Sequence, residues 1–206
     1  MFPNKDTKLY GSFSQTPGNN GCKFFNKKFK ENNINAIYKS YYSNNIKESF
    51  MAAKILDFSG FAVSMPFKYE ITKLVNIPND SDSKIKAINT VVKKNNEWYG
   101  YNLDKIGVLK YIKLYNLEFI NIVGQGGFGR SVKAACELAN IKYNIITRTN
   151  WGELNNIKKG IVFNCTPIDI NSNQDIIDGR PFTKEGKEIA RLIAEEQLNL
   201  YLNEQC

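Results

Sequence analysis

The chain has 206 residues, enough for one large domain or two small ones, and its 42 % apolar content is ordinary for a globular protein. Lysine and arginine outnumber aspartate and glutamate 28 to 20, but the lysines are spread among asparagines and isoleucines, a composition typical of AT-rich genomes. That spread argues against nucleic acid as a partner and leaves small anions as the ligands a basic protein attracts. No apolar run approaches the roughly 20 residues of a membrane span, and "MFPNKDTKLYG" lacks a signal peptide's apolar core. The reading is therefore a cytoplasmic protein with no membrane partner.

In chain order, short apolar strands alternate with amphipathic helices. "KLYGSFS" (8–14) predicts a strand, "QTPGNNG" (15–21) a turn-rich loop, and "CKFFNKKFKENN" (22–33) a helix with Phe24, Phe25 and Phe29 on one face. A strand is expected at 36–42, a helix at 46–58, a strand at 60–65 and a helix at 66–75 opened by Pro66. "AINTVVKKNNEWYGYN" (87–102) reads as a hairpin turning at "KNNE", followed by a helix at 103–116. Residues 118–149 then spell strand, glycine-rich turn, helix and strand, the length of one βαβ unit. "GIVFNCTP" (160–167) is a third strand ending in a turn, 171–181 reads as a loop, and 183–205 is a closing amphipathic helix.

The chain contains no histidine, and its four cysteines, Cys22, Cys136, Cys165 and Cys206, show no CxxC spacing, so no zinc site is expected. Proton chemistry would then fall to another group, and "GFAVSMPFKYE" offers one lysine, Lys68.

"VGQGGFGR" places Gly124, Gly126 and Gly129 in GxGxxG spacing between a strand and a helix, with Gln125, Gly127 and Phe128 completing the loop. In that context Gly124 permits a tight turn, Gly126 lets a pyrophosphate approach the backbone, and Gly129 lets the helix pack closely. The helix N-terminus offers N–H groups to phosphates. The next strand ends in "ITRT". Arg148, between Thr147 and Thr149, stands where an NAD-preferring fold carries an acid, and a guanidinium suits a 2′-phosphate. The cofactor expected from these residues is NADP.

Taken together the motifs resemble the shikimate dehydrogenase family. "GSFSQTPGNNGCKFFN" resembles its S-x-S loop, "GFAVSMPFK" its G-x-N-V-T-x-P-H-K, "AINT" its A-V-N-T and "GYNLD" its G-x-N-T-D. "GQGGFGR" and "TRT" resemble its cofactor motifs, and "NCTP" (with Cys165, Thr166 and Pro167) its N-x-T-P. The resemblance implies an α/β protein with an N-terminal substrate domain, 1–104, and a Rossmann-like NADP-binding domain, 105–182. The closing helix, 183–206, would return to the first domain.

The resemblance further implies NADPH-dependent reduction of 3-dehydroshikimate to shikimate, on the route to aromatic amino acids. Lys68 is then the catalytic lysine and Asp104 its partner. Ser12, Ser14, Ser64, Asn89 and Thr90 are polar substrate contacts. The partner is a small-molecule substrate, and the assembly a monomer or homodimer. Hydroxyls can hold a carboxylate, an amide can serve ring hydroxyls, and reduction of a carbonyl needs a cation or acid at its oxygen. In the expected helix Lys68 would lie in the first turn, at the end whose dipole disfavours a cation.

The chain departs from the family at several points. Phe67 stands for a histidine, Ala62 for an asparagine and Leu103 for a threonine. The strand and tyrosine-bearing loop expected after "NCTP" are not recognisable. Ile193 aligns with the family's substrate glutamine, and Gln197 lies one turn later. Two other functions remain open on these residues: an oxidoreductase for a related acid such as quinate, and a non-catalytic sensor that keeps the fold.

Overall fold

The computed structural model describes residues 3–203; the last expected helical residues and Cys206 lie outside that range. The chain forms two compact units. One ends at Asn102 and resumes at Gln197, and the other is Leu103–Glu196. The closing helix is thus shared, whereas the sequence reading gave all of it to the first domain.

The first unit is a five-stranded sheet of order β2-β1-β3-β4-β5. Strands β1 (Lys8–Ser14), β2 (Ala36–Tyr42) and β3 (Phe58–Val63) are parallel. β4 (Thr90–Lys94) and β5 (Glu97–Tyr101) continue the sheet antiparallel. Asn95 and Asn96 join β4 to β5 with φ of 49° and 66°, the left-handed pair that a tight two-residue hairpin requires.

α1 (Asn20–Glu31) buries Phe25 and Phe29, four residues apart on one face. With Tyr10, Tyr38 and Tyr201 they form an aromatic layer, in which Phe25 stacks on Tyr38 at 4.3 Å. α2 (Ile46–Ile55) is capped by the Asn45 side chain, which accepts from the backbone of Lys47 and Glu48. Phe50 and Ala53 of α2 join a second core with Phe13, Phe61, Val63, Val91 and Trp98. Phe67, where the family has histidine, is buried in the same core.

Two segments differ from expectation here. Residues 66–75 do not form an α-helix: turns lead into a short 3₁₀ helix, Glu70–Lys73. The reason is tertiary, since the Lys68 carbonyl accepts from Ile88 N at 2.9 Å and is taken up outside the segment. The helix-dipole argument for Lys68 falls with it. A short helix α3 (Asp80–Ile85), capped by Asn79, occupies a stretch for which the sequence reading assigned no element.

The second unit is a four-stranded parallel sheet of order β7-β6-β8-β9. Its elements are α4 (Asp104–Leu114), β6 (Phe119–Val123), α5 (Gly127–Ala139), β7 (Lys142–Ile146), β8 (Ile161–Asn164) and β9 (Ile176–Asp178). α6 (Lys184–Asn203) closes the chain. A 3₁₀ helix, Arg148–Asn156, links β7 to β8. Ile120, Ile122 and Phe163 of the strands pack with Val132, Ala135 and Cys136 of α5, Val108 and Ile112 of α4, and Ile189 and Leu192 of α6. β9 corrects the expectation of a loop over 171–181. This Rossmann-like unit and the mixed sheet of the first unit make the chain an α/β protein with a closing C-terminal helix. No described helix is long and apolar enough to cross a membrane.

Candidate active site

In the first unit, the expected polar residues gather at one end of the sheet, where β1 and β3 finish and β4 begins. Ser64 N donates to Phe13 O at 3.1 Å, and Val63 N to Asn89 O at 2.8 Å. These bonds bring Ser12 and Ser14 of β1, Ser64 after β3, and Asn89 and Thr90 to a common edge. The Ile88 N bond to the Lys68 carbonyl sets the backbone of Lys68, a half-buried residue, against Ile88, the chain neighbour of Asn89.

Gln197 completes this group from α6. Its Nε2 donates to Thr90 Oγ1 at 2.9 Å and to the Asn89 carbonyl at 3.4 Å. Thr90 Oγ1 in turn donates to Asn89 Oδ1 at 2.9 Å. Gln197 is 6 % exposed and Thr90 fully buried, so these bonds satisfy groups that water cannot reach.

Ile193 is placed otherwise than the alignment suggested. It packs against Gly107 of α4 within the second unit, so closely that a Cβ on Gly107 would collide with it. The amide that reaches the polar edge is Gln197, one turn later.

Around Ser12 lies a further polar set. Ser12 Oγ donates to Ser40 Oγ at 3.1 Å, and Cys22 Sγ lies 3.3 Å from the same hydroxyl. Burial pushes the Tyr38 phenol well up, an effect that a bond with Ser12 partly offsets. Ser14 is buried, and its carbonyl accepts from Ser43 N.

In the second unit the glycine loop follows β6 and opens α5. Gly124 has φ +97°, a left-handed conformation, and its N–H donates to Ile146 O at 2.8 Å. A Cβ on Gly124 would lie 2.9 Å from Thr166 Cγ2 and 3.4 Å from the Cys165 carbonyl carbon. The loop after β6 and the turn after β8 are therefore in contact, at the carboxyl ends of the two strands where the chain changes direction of winding. Open α/β sheets bind ligands at that position. A Cβ on Gly129 would collide with the Gly124 carbonyl, whereas one on Gly126 would meet nothing within 4 Å. Gly129 is required by packing; Gly126 leaves space.

α5 carries no side-chain cap and no acidic residue in its first turn. Its N–H groups are suited to phosphate oxygens. Arg130, which sequence reasoning did not single out, donates from Nη1 to the Gln125 carbonyl at 3.2 Å and braces the loop. Phe128 turns inward to Phe163 and Gly179.

Thr147 and Thr149 share a 2.7 Å hydroxyl contact at the start of the 3₁₀ helix. Arg148 between them is exposed and forms no ion pair with a described residue. Burial holds the Cys165 thiol well above its ordinary value, which favours the neutral form. The Thr166 hydroxyl is held by Asn164 Oδ1 at 2.7 Å, and Pro167 is exposed. Asp104 opens α4 and is 4 % exposed.

Fold and motifs thus define a two-unit α/β protein with a dinucleotide-type loop in its second unit. A family model described as the shikimate dehydrogenase substrate binding domain matches residues 19–91. A shikimate dehydrogenase-like protein of Haemophilus influenzae is 29 % identical over 193 residues, covering 85 % of this chain and 71 % of that protein. The shikimate dehydrogenase (NADP(+)) of Aquifex aeolicus is 31 % identical over 183 residues, covering 85 % of this chain and 66 % of its own length. Among solved structures, a shikimate 5-dehydrogenase-like protein superposes with a TM-score of 0.79 at 25 % identity, covering 97 % of this chain and 93 % of that one. The chain belongs to the shikimate dehydrogenase family.

Proposed function

We propose that the chain reduces 3-dehydroshikimate to shikimate with NADPH, and that Lys68 and Asp104 handle the proton. The observation that carries this reading is the buried set Gln197–Thr90–Asn89, next in the chain to Ile88, whose N–H bonds the Lys68 carbonyl, at the end of the sheet that also holds Ser12, Ser14 and Ser64. The substrate is a small carboxylated ring with hydroxyls. Serine hydroxyls suit its carboxylate, and the Asn89 and Gln197 amides suit its ring oxygens.

When bound, NADPH supplies a hydride to the carbonyl carbon. Lys68 donates a proton to the carbonyl oxygen as negative charge develops there, with Asp104 as its partner carboxylate in the proton transfer. The residues of the second unit fit the cofactor. Gly124, Gly126 and the first turn of α5 would hold the pyrophosphate, with Gly126 leaving room for it. Arg148, free of other ion pairs among the described residues, would take the 2′-phosphate. Relatives named shikimate dehydrogenase (NADP(+)) support the same cofactor.

The test is absorbance at the nicotinamide band with purified protein and NADP+, given shikimate, quinate or neither. Shikimate-dependent formation of NADPH is expected. Reduction with quinate alone would move the assignment to a related hydroxy acid, and no reduction with either would favour a binding protein.

A further inference from the structure

The turn that lies against Gly124 is held by an ionic bridge outside the recognised motifs. Asn164 ends β8 and is fully buried. Its Oδ1 accepts from Thr166 N at 2.9 Å and Thr166 Oγ1 at 2.7 Å, and its Nδ2 donates to Ile168 O at 3.0 Å. This one side chain shapes the turn. In the sheet Asn164 is paired with Asp178 of β9, and Gly179 N donates to the Asn164 carbonyl at 3.0 Å.

Asp178 is in turn gripped by Arg180. Arg180 Nε lies 2.9 Å from both carboxylate oxygens, Nη2 bonds the same carboxylate, and the Arg180 backbone N–H donates to Oδ1 at 3.0 Å. The same Nη2 reaches Asp169 on the far side of the turn at 2.6 Å. One guanidinium therefore joins the end of β9 to the chain just beyond Asn164–Ile168. The Arg180 side chain is 15 % exposed, and that of Asp169 is 92 % exposed.

We propose that Arg180 is a positioning residue for the cofactor: through Asp178 and Asp169 it fixes the 164–169 turn against the glycine loop and so sets the width of the dinucleotide cleft. This rests on the NADP reading above. Arg180 touches neither cofactor nor substrate; its effect passes through the turn. A fork that bonds two carboxylates at once does this better than a point charge, so lysine is an incomplete replacement.

The experiment is calorimetric titration of NADP+ into wild type and the variants Arg180→Met, Arg180→Lys and Asp169→Asn, with shikimate KM and thermal midpoint measured alongside. Misplacement of the turn should weaken NADP+ binding about tenfold in Arg180→Met, with a smaller loss in Arg180→Lys. Asp169→Asn should lower affinity by roughly threefold while the thermal midpoint stays put, because an exposed ion pair adds little stability. Shikimate KM should not move in any of them. Unchanged NADP+ affinity in Asp169→Asn and in whichever Arg180 variant folds would overturn the positioning role. A lowered midpoint with unchanged affinity would make the bridge a purely structural one. Absence of NADP+ binding in wild type would overturn the cofactor reading itself, an outcome distinct from either.

Discussion

Gln197 donates to the hydroxyl of Thr90 at 2.9 Å, linking the last turns of α6 to the first residue of β4. Removing the amide leaves the buried Thr90 hydroxyl without its donor, at a cost of about 1 to 3 kcal/mol. Gln197→Leu should therefore raise the KM for shikimate by roughly five- to a hundredfold and leave NADP+ affinity unchanged. Steady-state kinetics with each substrate varied in turn reads this. Equal loss for both ligands would assign Gln197 to the fold alone.

Ile193→Gln should give the opposite pattern. Ile193 packs on Gly107, so a glutamine there buries an amide in an apolar contact and should destabilise the chain by about 1 to 3 kcal/mol without tightening shikimate binding. Chemical denaturation and a shikimate titration test the two halves separately. Tighter binding would mean that the site uses the position suggested by alignment.

Lys68→Ala should lower kcat by about 10² to 10⁴ while NADP+ still binds, because the lysine acts on the proton and not on the cofactor. Asp104→Asn should be nearly as damaging, and the double variant little worse than either. Additive losses in the double variant would show that the two do not act together.

The glycine loop separates packing from binding. Gly129→Ala should fail to fold or lose much stability, since its Cβ would collide with the Gly124 carbonyl. Gly126→Ala meets no protein atom within 4 Å and should fold normally while losing NADP+ affinity, because the methyl fills the space for the phosphates. Comparing thermal midpoints and cofactor titrations of the two checks this. Normal affinity in Gly126→Ala would place the pyrophosphate elsewhere.

Arg148→Ala should cost roughly ten- to a hundredfold in NADP+ affinity, the worth of charge-assisted bonds to a 2′-phosphate, with NAD+ affinity almost unchanged. Titration of both cofactors against both proteins decides it, and equal losses would remove Arg148 from phosphate recognition.

Much of this arrangement was legible in the sequence, and the misses have identifiable causes. The βαβ unit could be read because an apolar strand, a glycine turn and an amphipathic helix follow one another in "FINIVGQGGFGRSVKAACELA". The 66–75 segment misleads because Phe67, Ile71 and Leu74 have helical spacing, yet the backbone at Lys68 is claimed by Ile88. β9 has three residues and one partner strand, too short for a periodic signal. The role of Ile193 depends on how closely α6 approaches α4, which Gly107 permits, and that of Gln197 on its bond to Thr90, 107 residues away; no linear pattern records either. The bridge at Arg180 joins residues on two separate segments and has no motif.

Acid should loosen the second unit through Asp178. Burial works to raise its carboxyl, but the bonds from Arg180 outweigh this and hold it below the ordinary value. Its contribution is complete above the unfolded-state value of about 3.9 and is lost as pH falls through the lower folded value. The groups facing it are Arg180, the Asn164 amide and, across Arg180, Asp169. The difference in thermal midpoint between wild type and Asp178→Asn should therefore be largest near neutral pH and shrink below about pH 4. A difference independent of pH would show that the carboxylate's charge is not what stabilises the bridge.

The most direct measurement is a crystal structure with shikimate and NADP+. Shikimate is expected at the edge formed by Ser12, Ser14, Lys68, Asn89 and Gln197, with its carboxylate on the serine hydroxyls and a ring oxygen within hydrogen-bond reach of Lys68 Nζ. Shikimate bound away from Lys68, or an empty polar edge at saturating shikimate, would contradict the assigned site and the function built on it.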